Sequence, residues 1–169
     1  MLSLRSTYLI GVFLESARTA RADDLKELER LASKANEETV QKRGGRTLSL
    51  QNPNYGDVKG FFNSAFENYS TEVFVGVIDQ AIVGFGIIEL ESLKDGTPHA
   101  SIKALYVEQE ARSVGVGEVL MEEMLTWANL HEAKAVDAIA LPGDRATKNF
   151  FETHGLVARA IIVQKALSE

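Results

Sequence analysis

A chain of 169 residues is about one domain long, at ~100–200 residues per domain, and its 45% apolar and 25% charged residues are the balance of a globular protein. It has no cysteine, which excludes disulfides, thiol nucleophiles and cysteine-ligated zinc. Its net charge of −6 has the wrong sign for coating nucleic acid, and no run approaches the ~18 apolar residues of a membrane-spanning helix. The expectation is a cytoplasmic protein with neither nucleic acid nor membrane as partner.

Residues 1–14 are read as an N-terminal extension or an extra strand. Arg5, the apolar Tyr8 to Leu14, then Ser16 and Ala17 follow the order of a secretory leader. That apolar stretch is near the leader's minimum of ~7 residues, however, and Arg18 and Arg21 come straight after it. From Asp23 the pattern is helical, with Leu25, Leu28, Leu31, Ala32 and Ala35 on one face. Asp23 and Asp24 suit the positive end of its dipole, and the helix is expected to dissolve before Gly44-Gly45. A second helix follows Pro53 and Asp57, where Val58, Phe61, Phe62, Ala65, Phe66 and Tyr69 recur at spacings of three and four. Such an aromatic stripe is read as core in preference to a ligand wall.

The chain then turns to strands. Thr71–Ile78 and Ala81–Leu90 are β-branched and aromatic, and flank Asp79-Gln80 as in a hairpin. A turn at Lys94–Pro98 leads to a third strand, Ala100–Val107. A helix over Val116–Leu130 buries Val116, Val119, Leu120, Met124, Trp127 and Ala128. Next come a strand at Ala135–Leu141, a short helix at Asp144–His154 stopped by Gly155, and a last strand near Ala158–Lys165. The strand–helix–strand unit predicts a right-handed parallel crossover. The fold class is therefore α/β: one domain with a mixed sheet of six to seven strands, an antiparallel meander followed by the parallel crossover, and about four helices.

The chemistry concentrates in Tyr106–Leu120. Arg112-Ser113-Val114-Gly115-Val116-Gly117 opens a helix directly after a strand and a short polar loop. Glycines there let a ligand approach the backbone, and the unpaired N–H groups of a first helical turn favour an anion. Arg112 adds a charge suited to phosphate oxygens, so the segment reads as a diphosphate site. A P-loop is excluded because no Lys and hydroxyl follow the glycines. A dinucleotide fingerprint is excluded because Leu120 stands where its third glycine belongs. Gly84-Phe85-Gly86 lies inside a strand and reads as close backbone packing or a bulge.

Strand, R-x-x-G-x-G, amphipathic helix, strand, and a short helix ending F-F-E-x-x-G-L together resemble the GNAT superfamily of acyl-CoA-dependent N-acyltransferases. Arg112, Gly115 and Gly117 meet that family's Q/R-x-x-G-x-G/A pattern. Asp144, Thr147, Phe150, Phe151, Glu152, Gly155 and Leu156 echo its later N-x-x-A/S-x-x-F-Y-E-x-x-G-F pattern. VFVGVIDQAIVGFG is similar to its second and third strands, and ARTARADDLKEL to the start of its first helix. The resemblance covers residues 15–169. It implies an N-acetyltransferase that moves an acetyl group from acetyl-CoA, as cosubstrate, to a primary amine by direct attack. The backbone of Leu105, Tyr106 and Val107 would bind the pantetheine arm on a strand splayed from its parallel neighbour. Ser113, Val114, Gly115, Val116 and Gly117, with Arg112, would hold the diphosphate, and Lys148 and Phe151 would reach the cofactor from the short helix.

Two positions depart from the family. Its frequent general acid, a Tyr, falls at Phe151, and the Glu that some members use as base falls at Ser101. Glu89, Glu91 and His99, near the Asp95-Gly96 turn, are the substitutes, with Glu89 and His99 the tentative catalytic pair. Their plainer reading is a solvated hairpin. His131 and His154 read as helix C-caps, and no histidine spacing supports a metal site. The alternative function is a non-catalytic acyl-CoA-binding or interaction module. The acceptor is a small-molecule or peptide amine, and the apolar start and last strand are the segments available for pairing in a homodimer.

Overall fold

Hydrophobic alternation along the strands, set against 3.6-residue periodicity in the helices, builds a sheet covered on both faces. The computed structural model describes residues 14–51 and 57–167; all but the last residue of the 1–14 extension, and Pro53, fall outside them. In chain order the elements are β1 (Glu15–Thr19), α1 (Leu25–Val40), α2 (Gly45–Gln51), α3 (Val58–Glu67), β2 (Thr71–Ile78), β3 (Ala81–Ser92), β4 (Pro98–Val107), α4 (Val116–Leu130), β5 (Val136–Ala138) and α5 (Arg145–Thr153). The sheet order is β1-β2-β3-β4-β5. The pairs from β1 to β4 are antiparallel, and β4 and β5 are parallel across α4. Asp79 and Gln80 both take positive φ, 47° and 73°, as a two-residue hairpin turn requires.

Val73 and Val75 face α1 and α3, in one cluster with Leu28, Leu31, Phe62, Phe85 and Tyr106. Phe74 faces the other way, into a cluster with Ile88, Ile102, Leu120, Met121, Met124, Trp127 and Phe151 from α4 and α5. The aromatic stripe of α3 is core: the Phe62 ring meets Phe85 edge-on at 6.1 Å. Tyr69 lies beyond the helix end and is exposed. Gly76 lets α4 rest directly on the sheet, since a Cβ there would lie 2.5 Å from Val116 Cγ1. Leu120 is wholly buried at that contact. Leu120→Ala is expected to cost about 2–5 kcal/mol through lost transfer energy and a residual cavity. In a domain of this size that lowers Tm by roughly 4–20 °C, read by differential scanning calorimetry.

Among the described residues the elements are five strands and five α-helices, in place of the six to seven strands and about four helices expected. The last strand anticipated at Ala158–Lys165 is absent: residues 157–167 form no regular element, although their β-branched side chains are typical of strands. Propensity alone does not make a strand, because its backbone groups need a neighbour to complete a ladder, and none of the described strands takes this one. The strand expected at Ala135–Leu141 shortens to β5 for the same reason, since its pairing with β4 ends at Ala138. The additional helix is α2. Gly44, at φ 78°, turns the chain after α1, and a second helix begins at once. It is tied to α1 by the buried Ser49 Oγ, which donates to Asn36 Oδ1 at 2.6 Å. β1 begins at Glu15, immediately after the segment assigned to an extension or extra strand.

Candidate functional site

β4 pairs with β5 only over Ala100–Ile102. Past that point the β5-side edge of β4, through Leu105, Tyr106 and Val107, has no strand beside it among the described residues. A 3-10 turn, Gln109–Ala111, then carries the chain to Arg112. Ser113 and Gly115 take left-handed φ values of 67° and 93°, and Gly115 caps α4 without any side-chain hydrogen bond. Left-handed residues alternating with ordinary ones aim successive amides into one concavity, an arrangement that binds anions. Among the described residues, no backbone or side-chain oxygen accepts from the amides of Ser113, Val114, Gly115, Val116 or Gly117. The positive end of α4 reinforces the same preference. Buried Ala111 on one side and buried Val116 on the other fix the loop while leaving those amides open.

The two glycines serve different ends. Gly115 supplies the left-handed backbone. A Cβ on Gly117 would point away from the concavity, 3.3 Å from the Phe150 ring, so this glycine admits α5 rather than a ligand. A Cβ on Gly115 would lie 3.0 Å from Glu15 Oε1, which places a carboxylate at the rim of the concavity. Glu15→Gln is expected to tighten binding of an anion such as inorganic pyrophosphate several-fold at low ionic strength. The gain should shrink in high salt, where an exposed charge is screened within a few ångströms; a salt series of calorimetric titrations reads both effects.

Arg112 does not point into the concavity. Its Nε donates to the Val107 carbonyl at 2.9 Å and its guanidinium to Glu38 Oε2 at 2.7 Å, with the ring of Tyr106 5.6 Å away. The Tyr106 hydroxyl donates to the other Glu38 oxygen at 2.8 Å. Burial opposes the charge on Glu38, but the hydrogen bonds from Arg112 and Tyr106 outweigh it and hold the carboxyl below its ordinary pKa. Burial and the same carboxylate push the Tyr106 phenol up. Arg112 therefore pins the start of the loop to α1 across 74 residues of chain. Beside it a cavity of about 500 Å³ is lined by Lys34, Glu37, Glu38, Gln41, Tyr106, Gln109 and Glu110.

A second polar group occupies the sheet surface opposite α4. Ala100 and Ile102 point into the α4 core, so His99, Ser101 and Lys103 project from the other face. Glu89 stands directly across from Ser101, and Glu91 from His99. Lys103 Nζ lies 2.8 Å from Glu91 and 3.5 Å from Glu89. Burial works against this ammonium, yet the two carboxylates together leave its pKa raised. His99 Nε2 lies 3.0 Å from Asp137 Oδ2, and Arg159 also binds Asp137. The Arg159 hydrogen bond, aided by His99, depresses the Asp137 carboxyl to about 2 against its burial. Because this folded-state pKa is lowered, the associated stability is present above about pH 4, the ordinary aspartate range. It is lost as pH falls toward about 2. Acid unfolding of Asp137→Asn is accordingly expected to differ slightly from the parent above pH 4 and to merge with it near pH 2.

The remaining candidates separate. Phe151 is buried in the α4-side core, and Lys148 Nζ pairs with Glu152 at 2.6 Å on the surface of α5. His131 and His154 each end a helix with Nδ1 against a carbonyl of the last turn, Trp127 and Phe150 respectively. Among the described residues, no group of three His, Cys, Asp or Glu is placed to hold a metal, and no helix is long and apolar enough to cross a membrane. Sequence reading missed Glu15, Glu38, Asp137 and Arg159. Each acts through a partner far away in the chain, which local spacing does not encode.

A mixed five-stranded sheet whose fourth strand is left open beside a backbone anion cradle defines a GNAT-type α/β domain. The chain belongs to the Acetyltransferase (GNAT) family, whose pattern it matches over residues 26–156. Among solved structures it is similar to a tetramutant of the BH1408 protein from Bacillus halodurans, at 20% identity and TM-score 0.76, over 89% of this chain and 99% of that one. It is also similar to a "predicted acetyltransferase with acetyl-CoA" from Clostridium acetobutylicum, at 13% identity and TM-score 0.69, over 91% and 97% of the two chains. AAC(6')-Iy, solved in complex with a bisubstrate analog, CoA-S-monomethyl-acetylneamine, is 14% identical at TM-score 0.69, over 90% and 99%. No curated protein matches the chain.

Proposed function

We propose that this protein transfers the acetyl group of acetyl-CoA to a primary amine by direct attack. The observation that carries the reading is the conjunction of an unpartnered β4 edge with five unclaimed amides at the start of α4. The amides of Ser113–Gly117 fit a diphosphate. The free edge of β4, running back from Val107, fits the amide-bearing pantetheine arm as an added strand would. That path carries the thioester toward the Ser101 and Lys103 end of β4. Backbone N–H groups on that edge are then available to an oxyanion formed as the amine attacks. Holding the two reactants in one slot supplies much of the acceleration.

Glu89 takes the role of base. It lies directly across from Ser101, within the ~5 Å that separates cross-strand neighbours, so its carboxylate reaches the space a glutamate at 101 would fill. His99, oriented by Asp137, stands one position farther toward the turn and serves proton movement through water. Phe151 has no proton to give and is buried; the thiolate leaves without a tyrosine acid, which its ordinary pKa of ~8.5 permits. The carboxylates of Glu89, Glu91 and Asp137 outnumber the cations that face them, Lys103 and Arg159, which favours a cationic amine. The AAC(6')-Iy complex with its bisubstrate analog, CoA-S-monomethyl-acetylneamine, is consistent with a small-molecule acceptor.

Titration of the purified chain with CoA, followed by turnover of acetyl-CoA across a panel of polyamines, aminoglycosides and lysine peptides, tests the proposal. Binding with turnover of at least one amine is expected, and failure to bind CoA overturns it. Binding without turnover, unchanged by Phe151→Tyr, establishes instead the non-catalytic module to which the buried Phe151 otherwise points.

A further inference from the structure

Lys103 is the one lysine on the five described strands, and it stands where the slot begins. The last pair of β4 with β5 is Ile102 with Ala138, so Lys103 is the first residue of β4 past their parting. It is also a bulge residue. Ala104 stands opposite Ile87 and Ile102 opposite Ile88, which leaves Lys103 without a partner on β3. A bulge bends its strand and re-aims a side chain. Here the side chain is 32% exposed, with its ammonium 2.8 Å from Glu91 and 3.5 Å from Glu89. A primary amine, two carboxylates and the apex of the open edge thus share one place, and the transfer to an external acceptor leaves that amine unused.

We propose that Lys103 is itself an acetyl acceptor, acylated on Nζ by acetyl-CoA lying in the slot of the same chain. The proposal rests on the reading of that slot as an acetyl-CoA site. An arm in the place of a strand lies about 4.8 Å from the β4 backbone, within the sweep of a flexible four-carbon stem. The ion pairs that hold Nζ on the β3 side are part-exposed, and such pairs do little to fix a long side chain. In the step, Nζ bonds to the acyl carbon, the carbon–sulfur bond breaks, and the sulfur leaves as the CoA thiolate. The ammonium gives up two protons, one to Glu89 before attack and one to the thiolate afterwards. Its third proton remains as the N–H of the new amide. Acetylation removes the lysine charge, so Glu89 and Glu91 lose the ion-pair partner they share.

Unassisted chemical acylation would choose other lysines. Lys94, Lys134 and Lys148 are exposed. At Lys103 burial works against the ammonium, but the two carboxylates together raise its pKa and keep it protonated. Preferential acetylation of Lys103 therefore reports a thioester held beside it.

The purified chain, shown by mass to be unmodified at Lys103, is incubated with isotope-labelled acetyl-CoA and no added amine, and its peptides are analysed by mass spectrometry. One labelled acetyl group is expected on Lys103, formed at least ~100-fold faster than on Lys94, Lys134 or Lys148 because the reactants are held together. At saturating acetyl-CoA its rate constant should not depend on protein concentration. Saturating CoA, which has no acyl group to give, should slow the labelling of Lys103 by an N-hydroxysuccinimide ester several-fold and leave Lys94 unaffected. Lys103→Arg keeps the charge and should lose the acetyl label. Calorimetric titration with CoA separates the two claims. A chain that binds no CoA overturns the acetyl-CoA reading and this proposal with it. With CoA bound, four results overturn the proposal alone: an unlabelled Lys103, equal labelling of the exposed lysines, a rate constant that rises with protein concentration, or a Lys103 equally open to the ester with and without CoA.

Discussion

Gly115→Val is expected to abolish measurable CoA binding while the protein stays folded. At φ 93° a β-branched residue is strained, and a Cβ there would press on Glu15 at 3.0 Å. Such strain costs of order 1–3 kcal/mol, a load the domain survives by turning the peptide back to an ordinary conformation. That turn breaks the alignment of the amides on either side. Each charge-assisted hydrogen bond lost is worth about 1.5–3 kcal/mol, so losing two weakens binding by roughly 10²–10⁴-fold. Isothermal titration with CoA reads the loss, and circular dichroism confirms the fold. Retained affinity would place the phosphate site elsewhere. Gly117→Ala is the control: its Cβ meets the Phe150 ring at 3.3 Å and Val107 Cγ2 at 4.0 Å, and affinity should change little.

Glu89→Gln is expected to lower kcat by about 10²–10⁴-fold, the usual contribution of a positioned base, with the dissociation constant for acetyl-CoA unchanged. Glutamine keeps the shape and hydrogen-bonding reach of the side chain but cannot hold the proton. The geometry also predicts rescue, because Ser101 is its cross-strand neighbour. Introducing Ser101→Glu into Glu89→Gln returns a carboxylate to the same space from the adjacent strand and should recover a large part of the rate. If kcat falls only a few-fold in Glu89→Gln, the carboxylate is merely a partner of Lys103 and the proton leaves by another route.

The elements legible in the sequence were those whose signal is local. α4 spans the same Val116–Leu130 that its apolar spacing marks, β2 the same Thr71–Ile78, and α5 differs from its expected span by one residue at each end. Each of these carries its own periodicity and cap; the Asp144 side chain, for instance, accepts from Thr147 N at 3.1 Å. The segment after Gly155 failed because its β-branched residues specify an extended chain but not a neighbour. α2 was hidden because Gly44-Gly45, taken as the end of structure, is a turn between two helices. At the candidate site, glycine spacing disclosed the loop but not the surroundings of Arg112 and Gly117. Arg112 looked available to phosphate because Glu38, its partner, lies a whole meander away, and Gly117 looked ligand-facing because Phe150 comes from a later helix. Glu89 was legible as a candidate, but its station across from Ser101 depends on a register set partly by the irregularity between Ile87 and Ile88.

The gap between β4 and β5 makes the molecule's cohesion partly borrowed. On the proposed reading, a ladder that another protein would finish with its own polypeptide is left for a small thioester to finish. Ligand concentration therefore enters the folding equilibrium directly, adding about 2.7 kcal/mol at a hundredfold excess over the dissociation constant. Without a ligand, the same seam is the place where the two parts of the sheet are joined by the fewest pairs.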